Sequence, residues 1–287
     1  MNDLPGIPSA VGFGILSLIL LYFAKKKGYF SFPHEIRWIV PLRWYHIATV
    51  FAIYFAAVIF AVPIVSFLIR HALASSPLIA AATWLNFLTS FIILGAIAIY
   101  TSRIPREIAY KIWRRSDESS FVQDLSFAFL SFLIAFPLVI FLNEAFDLIL
   151  YYLFHVQELP DQLAVRFLKM TFQHPRYFFL SVVTIVAFAP MLEEVLFRGF
   201  LQSFIRQHLG PRSAIVITSL CFSFFHYSPE QGLSNISIIG SLFALALFLG
   251  FVYEKRGSLP ASMALHACFN AVSVLNLYFL GGFPKAI

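Results

Sequence analysis

Glu193 and Glu194 stand side by side in an otherwise apolar stretch that begins at Ala187 and ends with Arg198. An ionisable side chain at membrane depth costs about 2.5–3.5 kcal/mol on insertion scales. On a helix, residues four positions apart share a face, whereas neighbours point about 100° apart. Glu194 is therefore placed to pair with Arg198 within its own helix, which leaves Glu193 to face a cavity. A catalytic role or a role in a transport pathway would explain two adjacent carboxylates at this depth.

Two further pairs occur at the same four-residue spacing in the last third of the chain. Phe222 and His226 share a helix face, so the phenyl ring can pack on the imidazole and hold its rotamer. His266 and Asn270 share a face of a later apolar helix and offer a donor and acceptor array. Taken alone, the first pair is also typical of an interfacial histidine, and the second of a helix–helix hydrogen bond in a membrane.

The composition that surrounds these residues is that of a membrane protein. The 287 residues are 60% hydrophobic and 12% charged, whereas soluble domains carry about 25% charged residues. The mean hydropathy is +0.83. The formal net charge of +6 comes from basic residues in short loops between apolar runs. This pattern indicates membrane topology and excludes a nucleic-acid partner.

Eight apolar runs are long enough, or nearly so, to cross a bilayer. They are Ile7–Ala24, Ile47–Ile69, Pro77–Tyr100, Phe121–Leu142, Tyr177–His208, Ser213–His226, Asn235–Tyr253 and Leu259–Leu280. We predict an all-α polytopic integral membrane protein of about eight transmembrane helices with an intramembrane cavity, formed as a single membrane domain over residues 1–287. Within it, residues 1–175 carry spans of unassigned role, and residues 176–281 form the core with the three motifs.

The basic residues predict the orientation of these spans. If the spans alternate, 15 of the 20 basic residues fall on one side of the membrane, and the positive-inside rule makes that side cytoplasmic. The 15 residues are Lys25, Lys26, Lys27, Arg37, Arg43, Arg103, Arg106, Lys111, Arg114, Arg115, Lys255 and Arg256 in three loops, with Arg198, Arg206 and Arg212 around the connection between the fifth and sixth spans.

The polar residues of the three motifs fall at overlapping depths. At about 1.5 Å per residue, Glu193 and His226 each lie about 21 Å from the predicted cytoplasmic ends of their helices, and His266 and Asn270 lie about 12 and 18 Å from theirs. We therefore expect groups from three helices to meet within a few ångströms of the bilayer middle.

The three pairs, in this order along the chain, resemble the three motifs of the CAAX protease and bacteriocin-processing family. The matching residues are Glu193, Glu194, Arg198, Phe222, His226, His266 and Asn270. That family includes the Ras-converting CAAX endopeptidase and the bacterial abortive-infection membrane proteases, and the resemblance covers Tyr177–Leu280. It implies an intramembrane endopeptidase that cuts a membrane-associated protein or peptide, with prenylated CAAX-type proteins among the candidate substrates.

The resemblance also implies roles for the residues of the site. By similarity, Glu193 is the general base and activates water together with His226. His266 and Asn270 would form an oxyanion hole, which commonly contributes about 10²–10³ in rate for each donor. Glu194 and Arg198 would support the site from the helix that also carries Glu193.

A metal-dependent version of the same chemistry is the first alternative. Two histidines and a glutamate are a known catalytic zinc set with an open position for water, and here the ligands would be Glu193, His226 and His266. The sequence has no His-Glu-x-x-His helix motif, and the three ligands come from separate helices. We therefore favour catalysis without a cofactor, with zinc as the alternative.

Other functional classes use the same residues differently. A transporter could use the buried glutamates as a proton or cation relay, although such proteins often show internal repeats and paired broken helices, and the sequence has neither. A scaffold or immunity-type protein could bind a partner without cutting it, and both glutamates could serve packing alone. The expected partners are the lipid bilayer and a membrane-associated protein or peptide, and the oligomeric state stays open.

Overall fold

The computed structural model describes residues 6–32, 39–73, 77–114, 120–156 and 159–280. These ranges are largely helical, with short connections, which confirms the predicted all-α class. The predicted loop residues Arg37 and Arg115, and both ends of the predicted single domain, lie outside the described residues.

The helices are numbered in chain order. They are α1 (Ile7–Lys26), α2 (Trp44–Ala72), α3 (Leu78–Arg103), α4 (Arg106–Trp113), α5 (Phe121–Phe154), α6 (Leu163–Thr171), α7 and α8 (together Pro175–Phe225), α9 (Ser234–Arg256) and α10 (Leu259–Leu280). A 3₁₀ turn, Pro229–Gln231, connects α8 to α9.

Seven helical segments in the described residues are long and apolar enough to cross a membrane, where about eight spans were predicted. The difference arises at Gly210, which divides the segment Pro175–Phe225 into α7 (residues 175–209) and α8 (residues 211–225). Gly210 has φ 78° and ψ 171°, a conformation that glycine adopts without steric cost. The chain reverses direction at Gly210. The evidence is that the rings of Phe197 on α7 and Phe222 on α8 lie 5.3 Å apart. The predicted fifth and sixth spans are therefore packed neighbours within one segment.

The helix α9 lies at the centre of the bundle. It packs against α5, α8 and α10, and α5 in turn contacts α1 and α10. Of the most apolar window of α9, 67% is buried, against 6% for α2. Large apolar side chains such as Phe67 are exposed on α2, as expected for a helix that faces lipid tails. The protein is thus a polytopic membrane protein with its packed core around α9.

The helix α7 departs from regular α-helical geometry on both sides of the adjacent glutamates. The turns Thr184–Phe188 and Val195–Gln202 are π-helical, and Ala189–Glu194 lies between them. Pro190 follows the first π-helical turn, and a proline inside a helix removes one backbone hydrogen bond and crowds the preceding turn. Single π-helical turns inside α-helices often occur at functional sites.

Two basic residues that were predicted to lie around the connection between the fifth and sixth spans are buried in ion pairs. Arg198 and Arg206 lie inside α7 and are 0% and 6% exposed, because each has an acidic partner within reach. Arg206 pairs with Glu254 of α9 at 2.7 Å. At the end of α9, Arg256 pairs with the buried Asp124 of α5 at 2.9 Å. These contacts fix the relative positions of the helices as well as neutralising charge.

Replacing Gly240 with alanine should destabilise the contact between α9 and α5. A Cβ atom at Gly240 would overlap the ring of Phe146, so the rigid ring must shift. We expect a loss of about 1–3 kcal/mol in the free energy of unfolding, measured by denaturation of the purified protein in detergent. Gly12→Ala is the matched control, since its Cβ would meet nothing within 4 Å. Equal stability of both variants would contradict this packing.

Candidate active site

Glu193 of α7 lies between two imidazole rings that come from different helices. Its Oε2 atom is 3.7 Å from Nε2 of His226, directly after α8, and 3.8 Å from Nε2 of His266 on α10. Both separations are longer than a hydrogen bond. Among the described residues, this Oε2 atom is buried and has no hydrogen-bond partner. The side chains of Glu193 and His226 are 19% and 29% exposed, so both are partly accessible at the protein surface.

Glu194 faces the protein interior and is fully buried. Its Oε1 atom accepts hydrogen bonds from Nη1 of Arg198 and from Nδ1 of His266, each at 2.9 Å. Its Oε2 atom accepts a hydrogen bond from the hydroxyl of Ser262 at 2.5 Å. The predicted pairing of Glu194 with Arg198 is therefore confirmed, and the predicted division between an inward and a free glutamate agrees with the contacts.

The ring of Phe222 lies between the buried cation and both histidines. The guanidinium carbon of Arg198 is 4.4 Å from the centre of this ring. The rings of His226 and His266 are 4.8 and 5.8 Å from it, which confirms the predicted packing of Phe222 on His226. A second guanidinium nitrogen of Arg198 donates to the carbonyl of Ala246 on α9 at 3.3 Å. Arg198 is thus neutralised and held by α7, α8 and α9 together.

The hydrogen bond of His226 assigns its neutral tautomer. Its Nδ1 lies 2.9 Å from the carbonyl oxygen of Phe222, and a carbonyl oxygen only accepts, so Nδ1 carries the proton. The neutral ring then has its lone pair on Nε2, the atom that faces Glu193. His226 is therefore oriented to accept a proton on the side of the shared space.

The same reasoning places a proton on Nδ1 of His266. Its Nδ1 faces the carboxylate of Glu194 and donates to it. The neutral ring would present a lone pair on Nε2, and only the doubly protonated ring presents an N–H there. A carboxylate therefore lies on each side of the ring, Glu194 at Nδ1 and Glu193 at Nε2.

Asn270 lies one turn beyond His266 on α10 and is half-buried. Its Nδ2 donates to the carbonyl oxygen of Ile185 at 2.8 Å, within the first π-helical turn of α7. This bond uses one of the two amide hydrogens. Asn270 therefore connects α10 to α7 beside the site, and its part in binding an oxyanion stays a prediction.

Sequence reasoning missed two residues of the site. Ser262 lies four positions before His266, so the spacing rule that paired His266 with Asn270 could have identified it. The ring of Tyr54 on α2 lies 5.2 Å from that of Phe225, which directly precedes His226. No pattern in the sequence placed α2 beside α7, so Tyr54 could not be identified as a site residue from the sequence.

A second buried polar layer continues along α7. Gln202 donates from Nε2 to the carbonyl of Gly250 and to Oε1 of Glu254, each at 3.0 Å. Arg206 donates to Oε2 of Glu254 at 2.7 Å. Together with Arg198, these residues contact α9 at every fourth position of both helices. The helices α7 and α9 are therefore parallel neighbours, and their register is fixed by polar contacts.

A metal ion would need Glu193, His226 and His266 as ligands. Ligand atoms around tetrahedral zinc are about 3.3–3.6 Å apart, given bonds of about 2.0–2.2 Å, and the separations here are 3.7 and 3.8 Å. The described part of the chain contains no group of three or more His, Cys, Asp or Glu side chains arranged to hold a metal ion. As placed, these residues do not form a zinc site.

An apolar cavity of about 530 Å³ lies on a different side of α7, against α3 and α4. Its lining includes Met191, which is two residues before Glu193 and so points about 200° away around the helix. Neither the glutamates nor the histidines of the site line this cavity. The space shared by Glu193 and the imidazoles is therefore separate from it.

Replacing Arg198 with methionine should destabilise the protein strongly. The change leaves the buried carboxylate of Glu194 without its cation, and breaking a buried ion pair on one side typically costs about 3–5 kcal/mol. The double variant Glu194→Gln/Arg198→Met should lose less, because no unpaired charge remains. Denaturation in detergent measures both, with Arg70→Met at the exposed end of α2 as control. If Arg198→Met were as stable as Arg70→Met, the buried ion pair would be contradicted.

Comparison with known proteins identifies a family for the part of the chain that carries this site. Residues 175–272 match the family model described as type II CAAX prenyl endopeptidase Rce1-like. The match covers about a third of the chain, begins with α7 and includes every residue of the three motifs. Comparison with curated proteins and with solved structures gives no match. Residues 175–272 of this membrane protein therefore form an Rce1-like domain of the type II CAAX prenyl endopeptidase family.

Proposed function

We propose that this protein is an intramembrane endopeptidase that hydrolyses a peptide bond of a membrane-associated protein or peptide. The observation that carries the proposal is the position of the Glu193 carboxylate, 3.7 and 3.8 Å from two imidazole nitrogens on other helices. Hydrolysis needs a base, a path for protons and donors for an oxyanion. In the proposal, the residues around Glu193 supply all three, and the match to an endopeptidase family supports this assignment.

In the proposed first step, Glu193 and His226 activate a water molecule. Two acceptors, a carboxylate oxygen and the lone pair on Nε2, face each other at 3.7 Å. A water molecule that donates to both would be oriented with its own lone pair outward. As the water oxygen attacks the scissile carbonyl carbon, its proton passes to Glu193. General-base catalysis of this kind contributes about 10²–10⁴ in rate.

The oxyanion formed by this attack needs hydrogen-bond donors. In the proposal, these are the second amide hydrogen of Asn270 and Nε2–H of His266. The His266 donor requires the positively charged ring, because its other nitrogen already donates to Glu194. Collapse of the tetrahedral intermediate breaks the carbon–nitrogen bond, and the proton taken up by Glu193 is transferred to the leaving amine.

Prenylated proteins are the substrate class that we propose to test first. The matched family is that of type II CAAX prenyl endopeptidases. The described helices are apolar enough to hold the site within the bilayer, so a lipid-modified substrate would approach from the membrane. Peptides of one sequence with and without a farnesyl group on the cysteine separate a requirement for the lipid from a requirement for the peptide.

The variants Glu193→Gln and His226→Ala should each lose activity by about 10²–10⁴, because each removes one of the groups that orient and deprotonate water. Cleavage is measured on the paired peptides with purified protein in nanodiscs. Glu107→Gln and His71→Ala are matched controls, since both residues are exposed and lie far along the chain from the site. They should cut as the parent does.

The same assay separates the alternative functions. If Glu193→Gln and His226→Ala both cut as well as the parent, the protease proposal with these roles is wrong. If the parent cuts nothing, and proton-coupled uptake is present but lost in both variants, the protein is a transporter. Cleavage lost on chelation and restored by zinc would establish the metal-dependent alternative, whereas the proposal predicts full activity in chelator.

A further inference from the structure

The carboxylate of Glu194 is attached to α10 at two points. Its Oε1 atom accepts from Nδ1 of His266 at 2.9 Å, and its Oε2 atom accepts from the hydroxyl of Ser262 at 2.5 Å. The two donors are one helical turn apart on α10, and Ser262 is fully buried. A carboxylate held through both oxygens has a defined orientation relative to the helix that carries both donors.

The single hydroxyl proton of Ser262 has two acceptors within reach. The carbonyl of Leu249 is 3.1 Å away, whereas Oε2 of Glu194 is 2.5 Å away. Leu249 lies inside α9, where its carbonyl accepts the regular helical hydrogen bond. A carboxylate is also the stronger acceptor. The proton of Ser262 is therefore directed at Glu194.

We propose that Ser262 is a positioning residue that acts through Glu194 on His266. By fixing the carboxylate, its hydroxyl holds the ring of His266 with Nε2 toward Glu193. This inference rests on the proposed function for its kinetic consequence, but the contact itself is independent of it. Neither the three motifs nor the roles inferred from them include Ser262.

The terminal torsion of a glutamate explains why the second attachment matters. Rotation about the last side-chain bond of Glu is broad and lacks sharp preferred angles. With Ser262 present, only one orientation of Glu194 satisfies both donors on α10. Without it, the carboxylate can turn about its remaining contacts with Arg198 and His266, and the imidazole loses its fixed orientation.

Ser262→Ala should lower kcat about tenfold and leave KM unchanged, the size expected for losing one hydrogen bond to a charged group. A double-mutant cycle with His266→Gln tests whether Ser262 acts through His266. If Ser262 acts through His266, adding Ser262→Ala to His266→Gln causes no further loss. The matched control is Ser223→Ala on α8, a buried serine whose hydroxyl donates to the carbonyl of Leu220 on its own helix. Independent, multiplying losses would overturn the inference.

A spectroscopic measurement tests the contact without any activity. With ¹⁵N-labelled histidine in the full-length protein, the Nδ1 signal of His266 is assigned from its absence in His266→Gln. We expect Ser262→Ala to shift or broaden this signal, and Ser223→Ala to leave it unchanged. An unaltered signal in Ser262→Ala would refute the positioning role. A parent that cuts no peptide, with the signal still sensitive to Ser262, would refute the proposed function alone.

Discussion

The buried carboxylate of Glu194 is the contact on which the candidate site depends. A charge inside a protein is stable only when it is paired and hydrogen-bonded. Arg198 on the same helix supplies the cation, and His266 and Ser262 on α10 supply further donors. One group therefore neutralises a buried arginine, joins α7 to α10 and orients an imidazole toward Glu193.

Adjacent glutamates acquire different environments from helix geometry. Because neighbours on a helix point about 100° apart, Glu194 enters the core and Glu193 reaches the space between the imidazoles. The two histidines differ in the same way. His226 donates to a backbone carbonyl and keeps a lone pair toward Glu193, whereas His266 donates to a carboxylate. One ring therefore keeps a lone pair toward Glu193, and the other is attached to the carboxylate of Glu194.

The sequence was sufficient to predict contacts between residues that lie one helical turn apart. The pairs Glu194 with Arg198 and Phe222 with His226 came from four-residue spacing alone, and the all-helical membrane class came from composition. The convergence of α7, α8 and α10 on one depth was expected from span lengths. Contacts between helices that are distant in the sequence could not be predicted in this way, so Tyr54 was missed. The number of crossing segments differed because Gly210 joins two predicted spans through a tight turn.

The most direct test of the account is a cryo-electron microscopy structure of the full protein in a lipid nanodisc, at a resolution that shows side chains. The account predicts the carboxylate of Glu193 within about 4 Å of Nε2 of both His226 and His266. A Glu193 side chain that points outward to lipid, away from both imidazoles, would contradict it.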